Sequence, residues 1–190
     1  NVWRNMAPER TLVIDMGDGS PYQCEPDRYP DRWGVVTWDE LCGGRYDWAP
    51  FLDGMVEAAK GKTRIVDGHE SSYGYRDPAQ FPAAYRAMKE ELLPIVASPK
   101  DYARVLSFGF GVWLDHDWRK AGWDVDDPAK NYFAPEPFGA AVRKALETAD
   151  EYVWIYTETP RWWSAEGKPV KLPEAYAEAL RRARKGLAAD

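Results

Sequence analysis

The chain has no apolar run near the ~20 residues that a membrane-spanning helix needs, so we expect no membrane partner. It also has no signal-peptide pattern at its N-terminus, although its first residue is Asn1 rather than Met. We expect a secreted or periplasmic location, with any export signal already removed.

Basic residues are the minority among the charged ones: 25 Lys and Arg stand against 31 Asp and Glu, for a formal net charge of -6. The chain therefore has no basic footprint for a nucleic acid, and we expect no such partner. A Gly-x-Ser-x-Gly elbow and a Gly-rich phosphate loop are also missing. Their absence argues against a serine nucleophile and against a backbone cradle for phosphate.

Cysteine is limited to Cys24 and Cys42, which both lie in the irregular N-terminal third. In an exported protein these two residues would pair across a long loop, whereas in the cytosol they would remain thiols. We slightly favour the disulfide. Neither cysteine is near a histidine in the sequence, so a cysteine nucleophile has little support.

Aromatic residues, in contrast, are abundant, with 10 Trp, 11 Tyr and 6 Phe. Many of the tryptophans fall in segments whose pattern is typical of loops: Trp33, Trp38, Trp118, Trp123, Trp162 and Trp163. Exposed rings indicate a binding surface. Pyranose rings stack on such faces, and a protein partner is the competing explanation, because Trp and Tyr also anchor interfaces.

Strand-like and helix-like segments alternate four times along the chain. The predicted strands are Thr11–Asp15, Thr63–Asp67, Arg104–Leu114 and Tyr152–Thr157; the predicted helices are Trp48–Lys60, a segment from Asp77 to about Val96, Phe138–Thr148, and Pro173 to about Gly186. This alternation predicts a single α/β domain over residues 1–190 with a parallel sheet. A long irregular excursion at about 17–47 interrupts it.

Each predicted strand ends in carboxylates. They are Asp15 and Asp18, Asp67 and Glu70, Asp115 and Asp117, and Glu158. In parallel α/β folds the C-terminal ends of the strands share one face, and ligands bind there. The fourth strand, apolar nearly throughout, is expected to be covered on both faces.

Two motifs carry a resemblance: Ile-Val-Asp-Gly-His-Glu-Ser-Ser-Tyr-Gly-Tyr at 65–75, and Glu-Tyr-Val-Trp-Ile-Tyr-Thr-Glu at 151–158 with Trp162 and Trp163. Through them the last two-thirds of the chain resembles the C-terminal part of (β/α)8-barrel glycoside-hydrolase-like proteins, a group of mostly unassigned activity. The resemblance implies a TIM-barrel-like fold and a sugar substrate. It is not the pattern of the large retaining cellulase clan, because no Asn precedes Glu70 or Glu158.

A full barrel has eight βα units, and this chain has about four. We therefore expect a half-barrel or truncated barrel. An open parallel edge attracts further strands, so we also expect a homodimer.

Glycoside cleavage needs two carboxyl groups, one to protonate the leaving oxygen and one to attack carbon or activate water. We assign Glu70, beside tyrosines that would raise its pKa, as acid/base, and Glu158, next to Arg161, as nucleophile or base. Asp67, Asp115 and Asp117 are the substitutes for these roles, and no cofactor is expected. The expected substrate-binding residues are His69, Tyr73, Tyr75, Trp113, His116, Trp118, Arg161, Trp162 and Trp163.

Two alternatives remain open. His69 and His116 lie among carboxylates, which is the composition of a divalent-metal site in a carbohydrate deacetylase or phosphoesterase, although their spacing matches no firm metal motif. A non-catalytic carbohydrate-binding module would use the rings alone, but it would not need acids concentrated at strand ends.

Overall fold

The structure is a computed structural model that describes residues 2–4, 11–14, 48–59, 63–91, 93–94, 96–116, 122–185 and 187. Contacts divide the chain into two compact units. The first unit comprises Asn1–Ser71 and Ala83–Gly109, and the second comprises Ser72–Pro82 and Phe110–Asp190. The predicted excursion at 17–47, Cys24, Cys42, Asp117 and Trp118 lie outside the described residues. The single-domain organisation stays a prediction.

The first unit contains a sheet of four short strands in the order β1-β2-β3-β4. The strands are β1 Val2–Arg4, β2 Thr11–Ile14, β3 Arg64–Asp67 and β4 Leu106–Phe108. β1, which the sequence pattern did not predict, is antiparallel to β2, whereas β2, β3 and β4 run parallel. The parallel register places Val66 of β3 beside Ser107 of β4. This confirms a mixed α/β fold with short parallel sheets.

Helix α1, Trp48–Ala59, packs against β3 and confirms the predicted helix at this position. Leu52 and Val56, four residues apart on one helical face, are buried. A further helix of this unit was not predicted, because its last residues, Arg104 and Val105, were assigned to the next strand.

The predicted helix from Asp77 to about Val96 is wrong in its length. Helix α2 spans only Gln80–Arg86, and a π-type turn, Ala87–Glu91, follows it. Asp77 caps α2 as expected, since its carboxylate accepts the Ala79 N–H at 2.9 Å while the Gln80 side chain accepts the Asp77 N–H at 3.1 Å. Pro94 accounts for the end of the helical segment at Glu91 instead of near Val96, because it lacks an N–H and disfavours helical backbone at the residue before it.

The unpredicted helix, α3, spans Pro99–Val105 and packs against α1 and β4. Ser98 and Pro99 stand at its N-cap and first position, and the Ser98 hydroxyl donates to Asp101 at 2.8 Å.

The second unit is a β-α-β arrangement followed by a helix. Its strands are β5 Phe110–Trp113 and β6 Val153–Tyr156, which run parallel; its helices are α4 Pro135–Thr148 and α5 Glu174–Arg184. Helix α4 packs on both strands and on α5. Phe138 of α4 and Tyr176 of α5 are fully buried and lie edge to face at 5.8 Å. The predicted strand Tyr152–Thr157 and the two predicted helices in this part of the chain are confirmed, with ends shifted by a few residues.

The prediction that β6 is buried on both faces is wrong. Val153, Trp154 and Ile155 are half-buried, and Tyr156 is 40% exposed. The reason is that β6 belongs to a two-stranded sheet in the described chain, with β5 beside it and α4 packed against it. Its apolar composition therefore supplies a partly open surface rather than a core strand.

The predicted strand Arg104–Leu114 is divided between β4 and β5 at Gly109. A close backbone approach occurs at Gly111, which lies against the Tyr73 ring. A Cβ atom there would lie 2.6 Å from Tyr73 Cδ1 and 2.8 Å from Trp154 Nε1. The Ser72 hydroxyl also bonds both the N–H and the carbonyl of Gly111, at 3.0 and 2.8 Å. Only glycine fits this position.

The described part of the chain contains no helix that is long and apolar enough to cross a membrane.

Replacing Gly111 by Ala should lower the free energy of unfolding by about 1–3 kcal/mol, because the new methyl group overlaps two packed rings. The matched control is Gly54→Ala in helix α1, where an added Cβ atom would have no neighbour within 4 Å. Because alanine has the higher helix propensity, this change should raise the free energy of unfolding by up to about 1 kcal/mol. Denaturant unfolding of both variants checks the prediction. Equal free energies of unfolding for the Gly111→Ala and Gly54→Ala variants would contradict the close packing of Tyr73 and Trp154 on Gly111.

Candidate functional site

One carboxylate of the second unit, Asp115, follows β5 and is only 6% exposed. It accepts the N–H of Glu158 at 3.0 Å, the N–H of Thr159 at 2.6 Å and the indole N–H of Trp113 at 3.1 Å. Both backbone donors belong to the turn after β6. A buried carboxylate with such partners fixes that turn, so we interpret Asp115 as a positioning residue rather than a proton donor.

The turn held by Asp115 presents Glu158 at the surface. The Glu158 side chain is exposed, and its Oε1 accepts the Tyr156 hydroxyl at 3.0 Å. This hydrogen bond raises the pKa of Tyr156, so the phenol stays protonated and keeps donating at neutral pH. Tyr156 and Glu158 are two residues apart, which places both side chains on one side of an extended segment. Glu158 is therefore a carboxylate in a fixed position and within reach of solvent.

Tyr73 lies at the centre of an aromatic cluster behind this turn. Its ring stacks on Tyr156 at 5.7 Å and meets Trp113 edge to face at 6.2 Å. Its hydroxyl accepts the Trp154 indole N–H at 3.3 Å. Tyr73 and Trp113, both predicted to bind substrate, are thus packing partners that support Tyr156 from within.

Two further predicted substrate-binding residues also pack within the second unit. The His116 ring lies 4.4 Å from Tyr132 and 5.0 Å from Trp113. Tyr75 meets Phe81 edge to face at 5.3 Å, and burial raises the pKa of its hydroxyl to about 12. Sugar binding by these two residues stays a prediction, which the ring packing does not favour.

Three more of the predicted binding residues, Arg161, Trp162 and Trp163, begin a short hairpin over 161–170. Arg161 and Val170 exchange two backbone hydrogen bonds of 2.9 Å, and Gly167 makes the turn with φ 74°. Trp162 packs 6.5 Å from the buried Phe138 ring of α4 and anchors the hairpin. Trp163 is 72% exposed, which makes it the most exposed large apolar side chain of the described residues.

An open groove of ≈ 350 Å³ runs between β6 and this hairpin. Its lining residues are Ile155, Tyr156, Thr157, Arg161, Trp162 and Trp163. Aromatic walls with a few polar groups form the usual lining of a small-ligand site, and the groove volume lies in the range of such sites. We refer to this surface as the aromatic groove.

In the first unit, the predicted site residues Asp67, His69 and Glu70 lie at the end of β3 and directly after it. Asp67 is fully buried, and its Oδ1 accepts the His69 N–H at 2.9 Å. His69 has φ 43°, a conformation that non-glycine residues rarely adopt, and burial lowers the pKa of its imidazole to about 4. The ring is therefore neutral at pH 7. Glu70 is half-buried and opens a 3₁₀ turn, Glu70–Gly74.

The structure thus divides the predicted site residues between the units. Asp67, His69 and Glu70 belong to the first unit, and Asp115, Glu158 and the aromatic groove belong to the second. Within the described chain, no group of three or more His, Cys, Asp and Glu side chains is arranged to hold a metal ion. The metal-hydrolase alternative therefore has no ligand set among these residues.

Three groove residues, Ile155, Tyr156 and Thr157, were not among the predicted binding residues. The available signal was the spacing of Tyr156 and Glu158 on one side of an extended segment. The apolar composition of β6 obscured this signal, because such a composition is typical of a strand that is buried on both faces.

Comparison of the chain with protein families, with curated proteins and with solved structures gives no match. The resemblance to glycoside-hydrolase-like barrels therefore stays a prediction, and the function is argued from the site itself.

Replacing Asp115 by Ala should lower the free energy of unfolding by about 2–4 kcal/mol, because three hydrogen bonds to a charged acceptor are lost. The NMR chemical shifts of the Glu158 and Thr159 amides should also change, because both amides lose their hydrogen-bond acceptor. The control is Asp126→Ala, which removes an exposed carboxylate from a loop. Unchanged stability and unchanged amide signals in the Asp115 variant would contradict the positioning role.

His69 predicts a pH dependence of stability. Its pKa in the folded protein, about 4, is below the ordinary imidazole value of 6.5, so the unfolded chain binds a proton more readily. The stabilisation is complete above pH 6.5 and is lost as the pH falls towards 4. A His69→Gln variant should lack this component, whose size is about 3 kcal/mol. Urea unfolding of the wild type and of His69→Gln from pH 7 to 4 measures this component. Free energies of unfolding that change with pH in the same way for both proteins would refute the prediction.

Proposed function

We propose that the protein is a carbohydrate-active glycoside hydrolase that binds a polysaccharide or oligosaccharide along the aromatic groove. The observation that carries the proposal is the juxtaposition of exposed rings with a positioned carboxylate. Tyr156 lines the groove and also donates its hydroxyl to Glu158. A sugar ring stacked in the groove would therefore lie next to an acid that the buried Asp115 holds in place.

In this proposal Glu158 acts as nucleophile or base. Its exposure leaves it open to an incoming ligand, and a carboxylate in this position suits attack on an anomeric carbon or activation of a water molecule. The Tyr156 hydroxyl steadies its orientation. Cleavage also requires a second carboxyl group to protonate the leaving oxygen, and Glu70 is the residue that the sequence predicts for this role.

We further propose that the chain is a half-barrel or truncated barrel and that it forms a homodimer. The parallel pairings of β2, β3 and β4, and of β5 with β6, are compatible with this architecture. A sheet edge that is left unpaired favours pairing with another copy. Sedimentation equilibrium tests the dimer, and a concentration-independent monomer would refute it.

A second candidate function is a non-catalytic carbohydrate-binding module. The observation that favours it is the lining of the aromatic groove, which contains three aromatic rings and an arginine but no carboxylate among the residues described there. A binding platform needs the rings alone. The two candidates agree on the ligand class and differ in turnover.

The Glu158→Gln variant should release reducing sugar from a polysaccharide panel at least a hundredfold more slowly than wild type, because glutamine keeps an acceptor for Tyr156 but cannot attack carbon. The Glu70→Gln variant should also lose turnover. The matched control is Glu178→Gln on the exposed face of α5.

Binding to insoluble glycan separates the two candidate functions. Binding should be lost in Trp163→Ala and retained in Glu158→Gln. Glycan binding without any sugar release from wild type would favour the binding module. Turnover that survives in Glu158→Gln would remove Glu158 as a catalytic residue.

A further inference from the structure

The hairpin that forms one side of the aromatic groove is basic, whereas the protein is acidic. Residues 161–171 contain the cations Arg161, Lys168 and Lys171 and a single acid, Glu166. This segment therefore has a local charge of about +2 in a chain of formal charge -6. A concentration of positive charge beside a binding groove selects ligands of the opposite sign.

The hairpin cations are not used in ion pairs within the described structure. Elsewhere in the same unit, basic side chains meet acids: Arg143 pairs with Glu147 at 2.5 Å, and Lys130 pairs with Asp127 at 3.2 Å. Arg161, in contrast, enters no salt bridge with another described residue. Its guanidinium therefore remains available to a ligand.

Arg161 also combines two separable roles. Its backbone N–H and carbonyl close the hairpin with Val170. Its side chain is exposed and lines the aromatic groove beside Tyr156 and Trp163. The hairpin thus does not depend on the guanidinium, which makes the side chain a recognition element that can be removed without loss of the local fold.

We propose that the aromatic groove binds an acidic sugar, a uronic-acid residue whose carboxylate meets the Arg161 guanidinium; this inference rests on the proposed carbohydrate function. The rings of Tyr156 and Trp163 take the pyranose face. The planar guanidinium suits a carboxylate, because it donates two parallel hydrogen bonds to the two oxygens. Lys168 and Lys171 attract the carboxylates of neighbouring residues in a polyuronate chain.

The position of the uronic acid follows from the charges along the groove. Glu158 carries a negative charge beyond Tyr156, so it repels a second carboxylate held close to it. Arg161 and Lys168 lie on the hairpin, and Lys171 directly follows it. The acidic residue of the glycan therefore belongs on the hairpin side, and the bond proposed for cleavage lies towards Glu158.

The test is a calorimetric titration of the full chain with oligomers of galacturonic, glucuronic and mannuronic acid. Each is compared with its carboxyl-reduced form, which keeps the linkages and removes the charge. At least one acidic oligomer should bind tenfold or more tightly than its reduced form, and salt should weaken that preference. Arg161→Gln should abolish the preference, while the control Arg184→Gln, exposed at the end of α5, should retain it.

Different results overturn different claims. Equal binding of acidic and reduced oligomers, or a preference that survives in Arg161→Gln, overturns the acidic-sugar inference and leaves a neutral glycan hydrolase intact. A preference for sulfated over carboxylated oligomers overturns it as well. Tight, Arg161-dependent binding of a uronate without bond cleavage supports the inference and removes the hydrolase. Trp163→Ala should weaken the binding of acidic and reduced oligomers equally, because ring stacking does not depend on the charge of the sugar.

Discussion

The candidate site depends on the hydrogen bonds that the Asp115 carboxylate accepts from the backbone of Glu158 and Thr159. This contact joins the end of β5 to the turn after β6, so the two parallel strands finish in a single fixed arrangement. A buried carboxylate is costly unless it is fully hydrogen-bonded, and here backbone and indole donors meet that requirement. The same bonds determine where Glu158 stands and where the hairpin with Trp162 and Trp163 begins.

The aromatic rings of the second unit divide into a supporting set and an exposed set. Tyr73 and Trp113 pack beneath Tyr156, and the absence of a side chain at Gly111 makes room for the Tyr73 ring. Trp163, in contrast, stands 72% exposed on the hairpin. Rigid support behind an exposed face is what lets a groove bind a ligand at little cost in conformational entropy.

The sequence predicted those features that arise from local patterns. Helix α1 follows from its apolar spacing, and the capping of α2 follows from Asp77. The acid after β5 was also predicted as a site residue, although the role assigned to it was catalytic.

Prediction from the sequence failed where contacts between distant parts of the chain determine the exposure or the role of a residue. The composition of β6 is that of a buried strand, but its exposure depends on how many strands and helices cover it. Likewise, nothing local distinguishes Trp162, which packs on Phe138, from its neighbour Trp163, which faces solvent. The backbone partners of Asp115 lie more than forty residues further along the chain, so its positioning role required the fold.

The central claim is that a glycan binds along the aromatic groove of the second unit. Chemical-shift mapping by NMR during titration with the acidic oligomers tests it most directly. The account predicts changes concentrated in the indole signals of Trp162 and Trp163 and in the backbone amides of 155–163. Changes confined to other parts of the chain, or none with any glycan, would contradict it.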